Sequence, residues 1–220
     1  SMQNLPARIG IAQVPDINPA PLDQAKAAGA RIIRTDLILE DVETSSGYNF
    51  QQYDALLAAL DARGMGALFI VRQYYTSPRY SLATNAGITS FGYFAEAAAR
   101  RYAGRNVRYE VWNEPDEAGF WGGRTPSAAE YAAMSSATIA AIRRGDPAAK
   151  VSTAGISMFM YQYISDALNA GAASTADAIG LHGYREAREP ESVSETLPLS
   201  RKIIGAALGD NRPVWMTEWG

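Results

Sequence analysis

The sequence predicts an α/β protein made of repeated βα units, and three observations lead there. Short, near-continuous apolar runs alternate with alanine-rich segments, the pattern of parallel strands covered on both faces. A glycine (Gly29, Gly64, Gly104, Gly145, Gly171, Gly209) stands just past each alanine-rich segment, where a left-handed helix cap is expected. The stretches after the second, third, fourth and sixth apolar runs are long, polar and aromatic, while those after the helical segments are short.

Taken in order, the strands are expected at Arg8–Val14, Arg31–Leu37, Ala67–Gln73, Val107–Asn113, Lys150–Ile156, Ala178–Tyr184 and Pro213–Glu218. The helices between them are expected at Pro21–Ala28, Gln51–Arg63, Ser90–Ala103, Ser127–Arg144, Tyr161–Ala170 and Ser192–Leu208. Asn49 with Gln52, Ser127 with Glu130 and Ser192 with Glu195 have capping-box spacing. Ala128, Tyr131, Ala132, Ile139 and Ile142 form an apolar stripe suited to packing on a sheet. An open doubly wound sheet and a (β/α)8 barrel both accept this order. The loop asymmetry favours a barrel with its chemistry at the C-terminal strand ends. No linker or low-complexity segment divides residues 1–220, so one domain is expected.

Composition removes several function classes. Of the residues, 47% are hydrophobic and 20% charged, with a net charge of −3, as in an ordinary globular protein. Basic residues are scattered, and the doublets Arg100-Arg101 and Arg143-Arg144 fall at expected helix ends, where they complement the dipole. No nucleic-acid footprint results. There is no cysteine and a single histidine, His182, which excludes disulfides, thiolate metal sites and His-rich zinc sites. Ser157 lacks the second glycine of a nucleophile elbow, and Gly64-Met65-Gly66 is too short for a dinucleotide fingerprint. No apolar run reaches membrane-spanning length. Neither a cofactor nor a metal is expected.

Two stretches carry chemistry: Val111-Trp112-Asn113-Glu114-Pro115-Asp116 and Trp215-Met216-Thr217-Glu218-Trp219-Gly220. Each sets one glutamate at a C-terminal strand end, and a pair of carboxylates across a sugar ring is what glycosidic cleavage requires. Pro115 is expected to confine Glu114 to extended backbone. Asn113 and Glu114 would then face opposite sides, unless a bulge or turn re-aims one of them. The plain alternatives are a surface glutamate in a turn and a terminal carboxylate in solvent. Trp121, in Gly119-Phe120-Trp121-Gly122-Gly123, is the favoured sugar-stacking platform, with Tyr74, Tyr75 and Trp219 as further candidates. Trp112 reads as core, His182 equally as a core histidine, and Arg34 as a partner of Asp36. Asp16 and Asp36 sit at strand ends where they could meet substrate hydroxyls.

The two motifs, on the fourth and seventh strands, resemble those of clan A glycoside hydrolases, nearest to the family 39 group. The resemblance implies a (β/α)8 TIM-barrel fold and retaining hydrolysis of β-linked poly- or oligosaccharides. It implies Glu114 as acid/base, Glu218 as nucleophile and Asn113 as a partner of the sugar 2-hydroxyl. By the same pattern, Leu181-His182-Gly183-Tyr184 would supply His182 and Tyr184 to orient the nucleophile and line the sugar subsite, and Arg34 would stand beside the nucleophile. An arginine there keeps a carboxylate ionised, while the acid must begin protonated. The resemblance also implies a secreted or periplasmic location.

A full barrel of this type needs about 250 residues. This chain shows about seven strands, with the eighth βα unit and its usual tryptophan missing. The expectation is an incomplete barrel, truncated at its C-terminus, whose open sheet edges invite self-association. A carbohydrate-binding barrel without catalysis, or an inactive fragment, is the second reading. An open sheet binding a phosphorylated metabolite is the third, and it lacks a glycine-rich phosphate loop.

Overall fold

The structure, a computed structural model, describes residues 9–11, 19–183 and 191–219. In chain order its elements are β1 (Ile9–Ile11), α1 (Pro19–Ala27), β2 (Ile32–Ile38), α2 (Leu39–Val42), β3 (Glu43–Thr44), β4 (Gly47–Tyr48), α3 (Gln51–Asp61) and β5 (Gly66–Arg72). There follow α4 (Asn85–Arg101), β6 (Val107–Asn113), a 3-10 turn (Ala118–Phe120), α5 (Ala128–Gly145), β7 (Lys150–Ser157), α6 (Tyr161–Asn169), β8 (Ile179–Gly183), α7 (Glu191–Leu208) and β9 (Val214–Trp219). Every expected strand and helix is present. The short α2 and the β3–β4 hairpin are additions; they fold the long segment after β2, whose mostly polar residues gave no periodic signal.

Helix ends follow local chemistry. α4 begins at Asn85, ahead of the expected Ser90, because the Thr84 hydroxyl accepts the Gly87 N–H at 3.1 Å. Ser127 caps α5 by accepting the Glu130 N–H at 3.2 Å. The Glu130 carboxylate, instead of reaching back, takes both Nη groups of Arg124. α7 starts at Glu191, so Ser192 lies inside it. Gly145 is not a left-handed cap. It is the last residue of α5, and a Cβ there would sit 2.3 Å from the Glu96 carbonyl oxygen of α4, so close helix contact requires glycine.

Seven strands form one parallel sheet in the order β1-β2-β5-β6-β7-β8-β9. The outer face packs against the helices through Ile33, Phe69, Tyr109, Val111, Val151, Leu181 and Met216. A second buried cluster joins Ile32 of β2, Leu68 of β5, Ala178 just before β8 and Trp215 of β9. β2 and β9 lie near opposite ends of the strand order, so their side chains meet only because the sheet curls around them. This is an inner layer of a (β/α)8 barrel, in an incomplete barrel of seven strands. No pairing joins β1 to β9 among the described residues.

Strand β6 is irregular at one place. Trp112 has φ +74°, the left-handed region that bulky residues avoid, and it drops out of the β6–β7 register between Val111↔Thr153 and Asn113↔Gly155. The gap is filled from α5. The Tyr131 hydroxyl donates to the Val111 carbonyl at 3.0 Å and accepts the Ala154 N–H at 2.7 Å. Tyr131→Phe would leave both buried backbone groups unpaired, a cost of roughly 1–3 kcal/mol. Thermal melts should show that variant lowered by several degrees, while Tyr93→Phe, at a residue 60% exposed, should melt as the parent does.

Candidate active site

Parallel strands that curl into a barrel bring their C-terminal ends to one mouth, and here the mouth is charged. Arg34 of β2 is 3% exposed and Glu110 of β6 is fully buried. Arg34 Nε donates to Glu110 Oε2 at 2.9 Å and Nη2 to Glu110 Oε1 at 3.2 Å. Nη2 also donates to Asn113 Oδ1 at 2.9 Å, and Nη1 donates to Glu218 Oε1. Burial alone would lower the guanidinium's pKa. The Glu110 charge, then that of Glu218, more than reverses this and raises it well above the ordinary arginine value.

The second carboxylate is held differently. Glu114 Oε1 stands 2.9 Å from His182 Nδ1, and the other ring nitrogen, Nε2, lies 2.9 Å from Thr217 Oγ1. The Thr217 hydroxyl donates to Glu110 Oε1 at 3.1 Å. His182 fits because Gly155 lies behind it; a Cβ at that position would be 1.9 Å from Nε2. Glu114 itself has φ +45°, so the expectation of extended backbone before Pro115 is corrected. Left-handed turns at Trp112 and Glu114 flank Asn113. The first turns Trp112 outward, where its indole donates to the Phe120 carbonyl at 2.7 Å and packs edge-on against Phe91, Tyr75 and Trp121. Asn113 thereby shares the inner side with Glu110, three residues earlier, which a regular strand would forbid.

Donor atoms of Glu114, His182 and Glu218 all lie within 4.8 Å of one another. Among the described residues these three could also offer donors to a metal ion. Arg34 already supplies the positive charge beside Glu218, so the cluster reads as a carboxylate pair with an imidazole.

Glu114, Glu218, Asn113, Arg34 and His182 are thus brought together, and Arg34 pairs with Glu110 and Glu218, not with Asp36. Asp36 takes Arg72 Nε at 2.8 Å instead. Trp121 is corrected: it is wholly buried, packed edge-on against Trp112 and Tyr131, and has no face to offer a sugar. Tyr74 is 45% exposed, with its hydroxyl donating to Asp41 at 2.8 Å, and stands apart from the hydrogen-bonded cluster. Tyr75 is packed among Trp112, Phe120 and the Arg72 guanidinium. Tyr184 and Asp16 lie outside the described residues, as does the Trp219 side chain.

Glu110, Thr217 and Asp116 were missed by the sequence reading. Glu110 carried a signal, since a carboxylate midway along a strand covered on both faces demands a partner. Asp116 is 6% exposed, and neither carboxylate oxygen has a hydrogen-bond partner. Burial pushes its pKa up to about 6, and the nearby charges of Glu117 and Glu114 add to this.

Two carboxylates in contrasting surroundings at the mouth of a parallel β/α barrel are the arrangement that glycosidic cleavage requires. The chain belongs to the cellulase family, glycosyl hydrolase family 5, whose model matches residues 11–220. No curated protein matches it in sequence. Among solved structures it is similar to a GH39 β-xylosidase from Caulobacter crescentus, with TM-score 0.75 and 20% identity, covering 96% of this chain and 53% of that one. It is similar to a glucosidase from Croceicoccus marinus, with TM-score 0.76 and 18% identity, covering 100% and 52%. An endo-1,4-β-mannanase from Eisenia fetida has TM-score 0.65 and 14% identity, covering 92% and 69%. The chain spans about half the length of the xylosidase and the glucosidase. At these identities the likeness shows the fold, and families 5 and 39 meet in clan A.

Asp116 gives a pH test. Its folded pKa lies above its unfolded value, so its contribution to stability is fully present below about pH 4 and lost as pH rises through about 6. Asp116→Asn should therefore stabilise the protein at pH 7.5, by on the order of 3 kcal/mol, and leave its melting temperature unchanged near pH 3.5. Gly155→Ala should displace His182, seen as a shift of its ring resonances in NMR spectra, while the circular dichroism spectrum stays that of the parent.

Proposed function

We propose that the chain is a retaining glycosidase acting on β-linked poly- or oligosaccharides, with Glu114 as acid/base and Glu218 as nucleophile. The observation that carries this is the contrast between the two carboxylates: Glu218 rests on the Arg34 guanidinium, Glu114 on an imidazole. Charge pairing keeps a nucleophile ionised, and a hydrogen-bonding imidazole suits a group that must give up and retake a proton. Their approach within 4.8 Å favours retention, which uses carboxyl groups about 5–5.5 Å apart, over inversion at about 6.5–9.5 Å.

In the first step Glu218 attacks the anomeric carbon. Glu114 gives its proton to the departing oxygen, and a glycosyl ester forms on Glu218. In the second step Glu114 takes a proton from water, whose oxygen displaces Glu218. Asn113 turns its carbonyl oxygen to Arg34, which leaves its amide N–H groups for the sugar 2-hydroxyl. The exposed Tyr74 ring is the remaining stacking candidate among the described aromatics.

The seven-strand arc, with β1 and β9 unjoined, favours a second reading: a carbohydrate-binding barrel without turnover. Those same edges support self-association, which sedimentation would detect as a concentration-dependent dimer. Azide distinguishes the two functions. Glu114→Ala with azide and an activated aryl glycoside should yield a glycosyl azide of retained configuration, while Glu218→Ala should be inert or yield the inverted azide. Sugar binding unaffected by either change, with no turnover by the parent, would select the binding module.

A further inference from the structure

We propose that Glu110 and Thr217 are positioning residues that hold His182 in the tautomer protonated on Nε2, so that Nδ1 is the acceptor keeping a proton on the Glu114 carboxyl group. The tautomer stands on hydrogen-bond geometry alone; its catalytic meaning rests on the reading of Glu114 as the acid.

Counting protons leads to this arrangement. Glu110 is fully buried and ion-paired with Arg34, so its oxygens only accept. Oε2 accepts Arg34 Nε. Oε1 accepts the Gly155 N–H at 2.8 Å, Arg34 Nη2 at 3.2 Å and the Thr217 hydroxyl at 3.1 Å. A hydroxyl has one proton, and Thr217 spends it on Glu110. At its 2.9 Å contact with His182 Nε2, the Thr217 oxygen must therefore accept, and Nε2 must carry hydrogen. Arg34 Nη2 also lies 3.4 Å from Nε2, but its two protons are directed at Asn113 Oδ1 and Glu110 Oε1.

A neutral imidazole protonated on Nε2 has a lone pair on Nδ1. The proton in the 2.9 Å contact between Nδ1 and Glu114 Oε1 then belongs to the carboxyl group. Among the described residues, charged or titratable groups that face this ring are Glu110 and Glu114 from β6 and its end, Asp116 just beyond, Arg34 from β2 and Glu218 from β9. On the β7 side, Gly155 leaves the space that the ring occupies.

The arrangement serves both half-reactions. At rest the acid is loaded. Once its proton has gone to the leaving oxygen, the Glu114 carboxylate faces a lone pair on Nδ1, which favours recovery of a proton from the attacking water. Glu110 touches neither sugar nor reacting atoms; it acts through Thr217 and His182 on one side and through Arg34 on the other.

His182 is the sole histidine, so one pair of ring-nitrogen resonances reports the tautomer. Long-range 1H–15N spectra, recorded at neutral pH, should show hydrogen on Nε2 and a bare Nδ1 in the parent. Thr217→Val should move hydrogen to Nδ1, and Thr217→Ser should restore the parental spectrum. In kinetics, Thr217→Val should shift the alkaline limb of kcat/KM to lower pH. It should also slow glycosides with poor leaving groups at least about tenfold more than activated aryl glycosides, since only the former depend on the acid. Equal loss on both substrates would mark a merely structural role. Hydrogen on Nδ1 in the parent, or an unchanged ring spectrum in Thr217→Val, would overturn the proposal. The spectra need no substrate, so they decide the tautomer even if the protein proves not to be a glycosidase.

Discussion

A guanidinium taken almost wholly out of water must be matched by acceptors, and at Arg34 the matching draws the site together. Each ion of a buried pair carries a desolvation cost of several kcal/mol, so Arg34 and Glu110 are poor stabilisers compared with apolar residues of like volume. Their presence makes sense as placement. One planar group spans the lumen from β2 to β6 and β9, engaging Glu110, Asn113 and Glu218 at once. Its fork geometry fixes three acceptors relative to one another in a way a lysine's point charge would not. The curl of the sheet and the aim of the polar groups are therefore one constraint: the same curvature that lets Ile32 meet Trp215 below lets Arg34 meet Glu218 above.

Strand β6 supplies the other half of the geometry at local cost. Left-handed backbone at a tryptophan and at a glutamate costs about 1–3 kcal/mol each. The burial of Trp112 among Phe91, Tyr75 and Trp121 is large enough to offset it, and Tyr131 repairs the interrupted ladder.

Much of this was legible in the residues. The apolar runs located all seven strands, with β6 at Val107–Asn113 as expected, because parallel strands covered on both faces leave a strong local signal. Glu114 and Glu218 stood out by residue type and strand-end position, Asn113, Arg34 and His182 by the resemblance, and the structure brings the five together. What escaped was set by tertiary context. Trp121 looked like an exposed platform because glycines surround it, yet its indole is enclosed by Trp112 and Tyr131, neither of which is its neighbour in sequence. Glu114 was assigned extended backbone from the local effect of Pro115, and its contact with His182 of β8 prevails. Thr217 carried no signal at all, since its role depends on what stands across the lumen.

The turn at Trp112 has a consequence for how such a protein can vary. Loops at a barrel mouth are commonly the freely exchanged parts of the scaffold. The loop after β6 is not free in that sense, because its Phe120 carbonyl and its Trp121 ring hold Trp112, and Trp112 sets the twist that aims Asn113 and Glu114. Lengthening or grafting that loop would re-aim the end of the strand even with every polar residue kept, and the segment after β5 is tied to it as well, because Tyr75 packs edge-on against Trp112 and its carbonyl accepts the Gly122 N–H. The segments after β5 and β6 must therefore vary together if the aim of the two carboxylates is to be kept.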